Sequence, residues 1–188
     1  EEKREIIKIL TALADRIRPQ IPELFEHIDF IGNIDFLNAK SKLAISHNAV
    51  MPVISEDRRM TIMQGRHPVL EESLKKSGRK IIPLDLELGP EQRMIIISGP
   101  NAGGKSVAMK TTGLLQYMFQ CGFLVPAAEG TVLFPFDEVL ADIGDQQSIE
   151  NDLSTYSSHL LNMKHFMQSG NERTLILIDE FGSGTEPE

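Results

Sequence analysis

The sequence predicts an α/β protein: a parallel sheet with flanking helices, preceded by an N-terminal α-helical pair. Three observations lead there. The apolar, β-branched run Met94-Ile95-Ile96-Ile97 stops abruptly at a glycine-rich stretch, after which residues 107–118 continue with helical spacing. A second continuous apolar run, Thr174-Leu175-Ile176-Leu177-Ile178, ends in Asp179-Glu180 and suits a strand covered on both faces. Ahead of both, two amphipathic stretches are separated by Pro19 and Pro22.

In chain order, Ile6, Leu10, Leu13 and Ile17 recur at helical spacing, with acids at the start and arginines toward the end to match the helix dipole. Pro22 fits the first turn of a second helix running from Glu23 into the forties, striped by Leu24, Ile28 and Ile31. The short proline link predicts that the two helices pack antiparallel. His27 and His47 read as surface residues rather than ligands. A change of pattern near residue 50 marks a boundary between residues 1–50 and 51–188. Beyond it, Met60-Thr61-Ile62-Met63 reads as a strand, Gly65-Arg66-His67-Pro68 as a turn and residues 69–74 as a short helix or turn. After the basic loop Lys75-Lys76-Ser77-Gly78-Arg79-Lys80, residues 82–88 alternate as an edge strand should. Residues 131–134 and 138–143 are further strand candidates. Leu153, Tyr156, Leu160, Met163 and Met167 predict a helix with one packed face, on which His159 and His165 are exposed polar positions.

Gly99 to Ser106 fits G-x-x-x-x-G-K-[ST] at every fixed position. Glycines at 99, 103 and 104 let the backbone curl close to a polyphosphate, so that N–H groups converge where the helix presents its positive end. Lys105 reaches the β and γ phosphates, and Ser106 offers a hydroxyl to the magnesium bridging them. Paired with this loop, Asp179 can hold the magnesium and Glu180 can orient and deprotonate a water. The expected reaction is hydrolysis of a nucleoside triphosphate. Asp152 or Ser154 can cap the helix near residue 152, and the Ser154-Thr155 end is a second place where backbone N–H groups can meet an anion.

With 188 residues and 41% hydrophobic content the chain can bury a core, and no stretch is long and apolar enough to span a bilayer. The absence of a start methionine or leader at Glu1 reads as a piece of something larger. The single Cys121 suits a reducing cytoplasm and reads as a small buried apolar residue. A net charge of −8 argues against a nucleic-acid grip on these residues, since phosphate backbones are held by basic surface.

Arg66-His67-Pro68, the loop from Gly99 to Ser106, Asp142-Ile143-Gly144-Asp145, Leu153-Ser154-Thr155 and the stretch from Ile178 to Thr185 together resemble the MutS family of ABC-type ATPases. The wording Gln147-Ser148-Ile149-Glu150 and Gly184-Thr185-Glu186-Pro187 is similar to the second bacterial branch, linked to recombination control. The resemblance covers the whole chain and is strongest after residue 62. It implies a P-loop NTPase sheet of the ABC type over residues 51–188, incomplete at its C-terminus, with residues 1–50 as the base of a helical lever. It implies ATP and Mg2+ as cofactors, held by Gly99, Pro100, Asn101, Ala102, Gly103, Gly104, Lys105, Ser106 and Val107. Lys105 and Glu180 are then catalytic, and Ser106 and Asp179 are the metal ligands. It further implies a homodimer in which each nucleotide lies between the loop of one subunit and Ser154-Thr155 of the other. Asp145 to Gln147 would lie near the loop that senses the γ phosphate, and Ser183-Gly184-Thr185 would cross the interface. DNA would be held by regions outside this chain, in mismatch repair or recombination control, in the cytoplasm and without a membrane. Ile81 stands where the family usually stacks an aromatic residue on adenine. The chain also ends before the family's switch histidine, so these residues alone are expected not to turn over ATP. The alternatives are the engine of another ABC-type ATPase, such as a transporter subunit, and a nucleotide-binding module without activity of its own.

Overall fold

The computed structural model describes residues 2–100, 103–143 and 152–179, with the backbone alone over 152–158. The chain divides into two compact units, Glu1–Leu43 and Ala44–Glu188. In the first, helix α1 (Glu2–Ile17) has Glu2 and Glu5 in its first turn and Arg16 in its last, the arrangement the helix dipole favours. A 3₁₀ turn, Arg18–Gln20, follows at Pro19, whose missing N–H is tolerated at a helix start, and helix α2 (Ile21–Ser46) begins directly after it. No residue of α1 or α2 is buried. Both helices therefore form where the periodicity places them, but they do not pack together as an antiparallel pair. The last turn of α2, which belongs to the second unit, closes with Asn48 at φ +45°. The Ala49 N–H reaches the Ala44 carbonyl at 2.8 Å and the Asn48 N–H reaches that of Ile45 at 3.2 Å.

The second unit runs through β1 (Val53–Ile54), β2 (Met60–Gly65), α3 (Pro68–Lys76), β3 (Leu84–Leu88) and α4 (Lys105–Gln120). It continues with β4 (Val132–Leu133), β5 (Glu138–Asp142), α5 (Asp152–Ser169) and β6 (Thr174–Ile178). Four strands make a mixed sheet in the order β1-β4-β2-β3, with β1 and β4 parallel and β2 antiparallel to both neighbours. Between Ile62 and Gly65 the β2–β3 register slips, and Gln64 at the slip has φ +50°. The Asp85 carboxylate holds this bulge, accepting from the Gln64 backbone N–H at 2.8 Å and from its side-chain amide at 2.7 Å. β5 and β6 form a separate parallel pair, in register from Glu138 opposite Thr174 to Asp142 opposite Ile178.

Helix α4 packs against both sheets. Leu115 on it joins Met60 and Ile62 of β2, Leu133 of β4, and Leu175 and Leu177 of β6 in one buried cluster. The approach to β6 is close enough that a Cβ on Gly113 would lie 2.7 Å from Leu177 Cδ1. Polar bonds fix the helix further. The fully buried Gln116 donates from Nε2 to the Phe134 carbonyl at 2.8 Å, and Gln120 donates to the Phe136 carbonyl at 3.0 Å. These amides satisfy carbonyls of the segment between β4 and β5, where no strand partner does so.

The expected P-loop NTPase sheet of the ABC type is not what forms. Residues 92–98 adopt no strand, and Met94 and Ile96 are 77% and 83% exposed. A β-branched apolar run is stable as a central strand only when strands flank it and other layers cover it. Among the described residues no strand pairs with this one, so a propensity legible in the sequence goes unused. The fold is instead α/β with one mixed four-stranded sheet and one parallel pair. Consequently β6 is covered on one face only, with Leu175 and Leu177 buried and Ile176 exposed. Among the described side chains of α5 the buried one is Phe166, whereas Leu160 and Met167 of the expected stripe are exposed; Leu153 and Tyr156 lie outside the described side chains. Cys121 is exposed, not buried, because it caps the C-terminal end of α4.

Candidate functional site

The glycine-rich loop enters α4 as its spacing requires. Gly104 is the N-cap at φ +85°, and Gly99 stands at φ +150°, conformations that side-chain-bearing residues rarely adopt. The Gly103 N–H closes onto the Pro100 carbonyl at 2.9 Å, and a Cβ on Gly103 would come within 3.0 Å of that oxygen. Gly104 brings no side chain to cap the first turn of α4, whose leading N–H groups have no intrahelical acceptors. Lys105, the first residue of α4, folds back so that its Nζ donates to the Gly99 carbonyl and spans the loop. Ser106 and Val107 follow in the same turn. Asn101, Ala102, residues 144–151 and residues 180–188, which include Glu180 and Asp145 to Gln147, lie outside the described residues. Ser154 and Thr155 fall on the first turn of α5, where the backbone alone is described.

Asp179 follows the last residue of β6, at the C-terminal edge of the parallel pair. Its neighbour there is not the phosphate loop, since residues 94–98 form no strand beside β6, but Asp142 at the end of β5. The Asp179 N–H donates to the Asp142 carbonyl at 2.9 Å. The Asp142 side chain is buried and turns to α5. His159 Nδ1 donates to its Oδ2 at 2.6 Å and Asn162 Nδ2 to its Oδ1 at 3.0 Å. Both carboxylate oxygens are thus occupied, as a buried carboxylate requires. The sequence reading missed this cluster and left His159 as an exposed position. Its signal was the three-residue spacing of His159 and Asn162, which sets both on one side of α5.

Arg66-His67-Pro68 serves the start of α3 and the end of α2. Arg66 Nη2 donates to the carbonyls of His47 and Asn48 at 2.6 and 3.2 Å, and its guanidinium lies 3.3 Å from the buried Glu71 carboxylate. His47 pairs with the other Glu71 oxygen at 3.4 Å, so it is nearly enclosed instead of lying on the surface. His67 caps α3 by accepting the Leu70 N–H on Nδ1 at 3.3 Å, and Pro68 begins the helix. Burial holds the His67 imidazole below its ordinary pKa, a backbone hydrogen bond opposes this, and the Lys110 cation adds to the lowering. The unfolded chain then binds more protons than the folded one between the two pKa values. The stability His67 contributes is present above the unfolded pKa and is lost as pH falls through the folded one. The urea midpoint is expected to drop as pH falls below the ordinary imidazole range. In His67→Asn, whose Oδ1 keeps an acceptor for Leu70, part of that drop should vanish; an unchanged slope would count against the assignment.

Among the described residues no helix is long and apolar enough to cross a membrane. Residues 95–188 match MutS domain V, the ATPase domain of MutS. Over its whole length the chain is 43% identical to an Endonuclease MutS2 of Agathobacter rectalis and to one of Clostridium botulinum strain Eklund 17B. It is 41% identical to an Endonuclease MutS2 of a Geobacillus species. The chain spans 23% of the length of each of these relatives. On that match, and on a likeness that runs through all its residues, the chain belongs to the MutS family, on the MutS2 branch.

Proposed function

We propose that these residues bind and hydrolyse ATP within a MutS2-type homodimer, and that ATP-driven closure of the dimer is passed to DNA held by other regions of the full-length protein. The start of α4 carries this reading. A left-handed glycine cap, a first turn with no capping side chain and a lysine folded across the loop suit a polyphosphate. In this reading Gly99, Pro100, Asn101, Ala102, Gly103, Gly104 and Val107 contribute main-chain groups, and Lys105 neutralises the β and γ phosphates. The Ser106 hydroxyl and the Asp179 carboxylate are hard oxygen donors of the kind Mg2+ selects, and these two residues would hold the ion. Held there, the ion would supply charge neutralisation for the phosphates. Glu180 orients the water and takes its proton, and the partner subunit's Ser154 and Thr155 meet the γ phosphate. Residues 1–50 serve as the lever toward the DNA-holding regions.

The test uses the full-length protein. Glu180→Gln keeps the size and the hydrogen-bonding reach of the side chain but removes the base, so it should bind MgATP within about threefold of the parent while hydrolysis falls about 10²-fold or more. Calorimetric titration and phosphate release measure the two arms. Unchanged turnover in Glu180→Gln would remove that residue from its role.

A further inference from the structure

We infer that Asp142 and His159 form a relay between the first turn of α5 and Asp179, so that the fit of one subunit's helix on its partner's nucleotide is linked to the metal-holding carboxylate of its own site. The inference rests on the shared-site reading above and adds residues that this reading does not use. Its basis is that Asp142 faces two ways. Through its side chain it holds two residues of α5, His159 at 2.6 Å and Asn162 at 3.0 Å. Through its carbonyl it holds the backbone N–H of Asp179 at 2.9 Å. Its burial leaves the carboxylate no solvent to turn to, so a shift of α5 along its axis either breaks these bonds or carries Asp142 with it. A moved Asp142 carbonyl moves the backbone of Asp179. His159 lies four residues beyond Thr155, about one helical turn, so the helix end and the relay move as one body. His159 and Asp142 are positioning residues, since neither is placed on substrate.

The experiment compares His159→Leu with His159→Asn in the full-length protein. The Asn side chain carries its amide nitrogen at the same remove from Cβ as His Nδ1 and can still donate to Asp142. His159→Leu should lower kcat about tenfold or more, as loss of a partner supporting a metal ligand does, with KM for MgATP within about twofold. His159→Asn should recover most of that loss. Thermal unfolding of both variants removes misfolding as a cause, because a purely structural role predicts that kcat follows stability and not the amide.

Mixed dimers then separate the relay from the reading beneath it. In a heterodimer of Lys105→Ala with Thr155→Arg subunits, one intact composite site remains, so activity should return. No recovery with heterodimers shown to form would overturn the shared-site reading itself, and the relay with it. Where activity returns, His159→Leu is added to one subunit or to the other. On the Lys105→Ala subunit it disturbs the helix serving the live site; on the Thr155→Arg subunit it disturbs the Asp179 of that site. The relay requires a loss from both placements. A loss from only one, or from neither, overturns it while leaving the shared site standing.

Discussion

Lys105→Ala in the full-length protein is expected to abolish ATP turnover, with kcat/KM down about 10²–10³-fold or more and MgATP affinity lowered with it. The lysine begins α4 and folds over the loop onto the Gly99 carbonyl. That bond holds the ammonium above the loop, at the end of the helix where the macrodipole favours anions. Alanine removes the cation and the bridge across the loop together. The helix itself should survive, because alanine propagates helices well and the core residues of α4 lie a turn or more further on, at Thr111, Thr112, Leu115 and Gln116. Phosphate release, ATP titration and thermal unfolding therefore separate: the first two collapse and the third stays put. Turnover within about tenfold of the parent would remove Lys105 from the phosphate site.

The largest expected loss of stability is at Phe134. The ring is 2% exposed and meets Phe136 edge to face, with centroids 5.1 Å apart and planes at 81°. The Arg173 guanidinium lies 4.6 Å from its centroid, tying the segment before β5 to the segment before β6. Arg173 also reaches the Asp137 carboxylate at 2.9 Å and the Pro135 carbonyl at 3.1 Å, so the ring forms one wall of a connected corner. Phe134→Ala should cost about 3–5 kcal/mol from lost burial and the cavity left behind. It also takes away the ring that Phe136 and the Arg173 cation lean on. That is a large share of a domain's total stability. Phe134→Leu fills most of the volume and should recover more than half of the loss in the urea midpoint. Equal midpoints for the alanine variant and the parent would contradict the packing described.

Local elements were legible in the sequence because local signals place them. The glycine at 104, the alternation over 82–88 and the helical spacing over 153–167 fall where α4 begins and where β3 and α5 form. The misreadings concern partners. The run at 94–97 carries the chemistry of a central strand, but chemistry specifies a wish for cover and does not supply the neighbours. The stripe on α1 has the right period, yet among the described residues none of it is buried. His159 and His47 look like lone polar residues in a linear reading. Their carboxylates, Asp142 and Glu71, are brought from 17 and 24 positions away by tertiary structure alone. At the candidate site the loop follows its pattern, whereas the run at 94–97 that leads into it forms no strand, and among the described residues β6 pairs with β5 alone.

The two glutamines of α4 fasten one end of the helix to the segment between β4 and β5. Their amides grip the carbonyls of residues 134 and 136 at one end of a helix whose other end opens from the glycine loop. Sliding that rod would strand an enclosed amide and two acceptors at once, whereas rearranging the loop costs no such debt. The helix is the firmly held frame of this unit, and on the proposed reading any rearrangement around a bound nucleotide takes place around it.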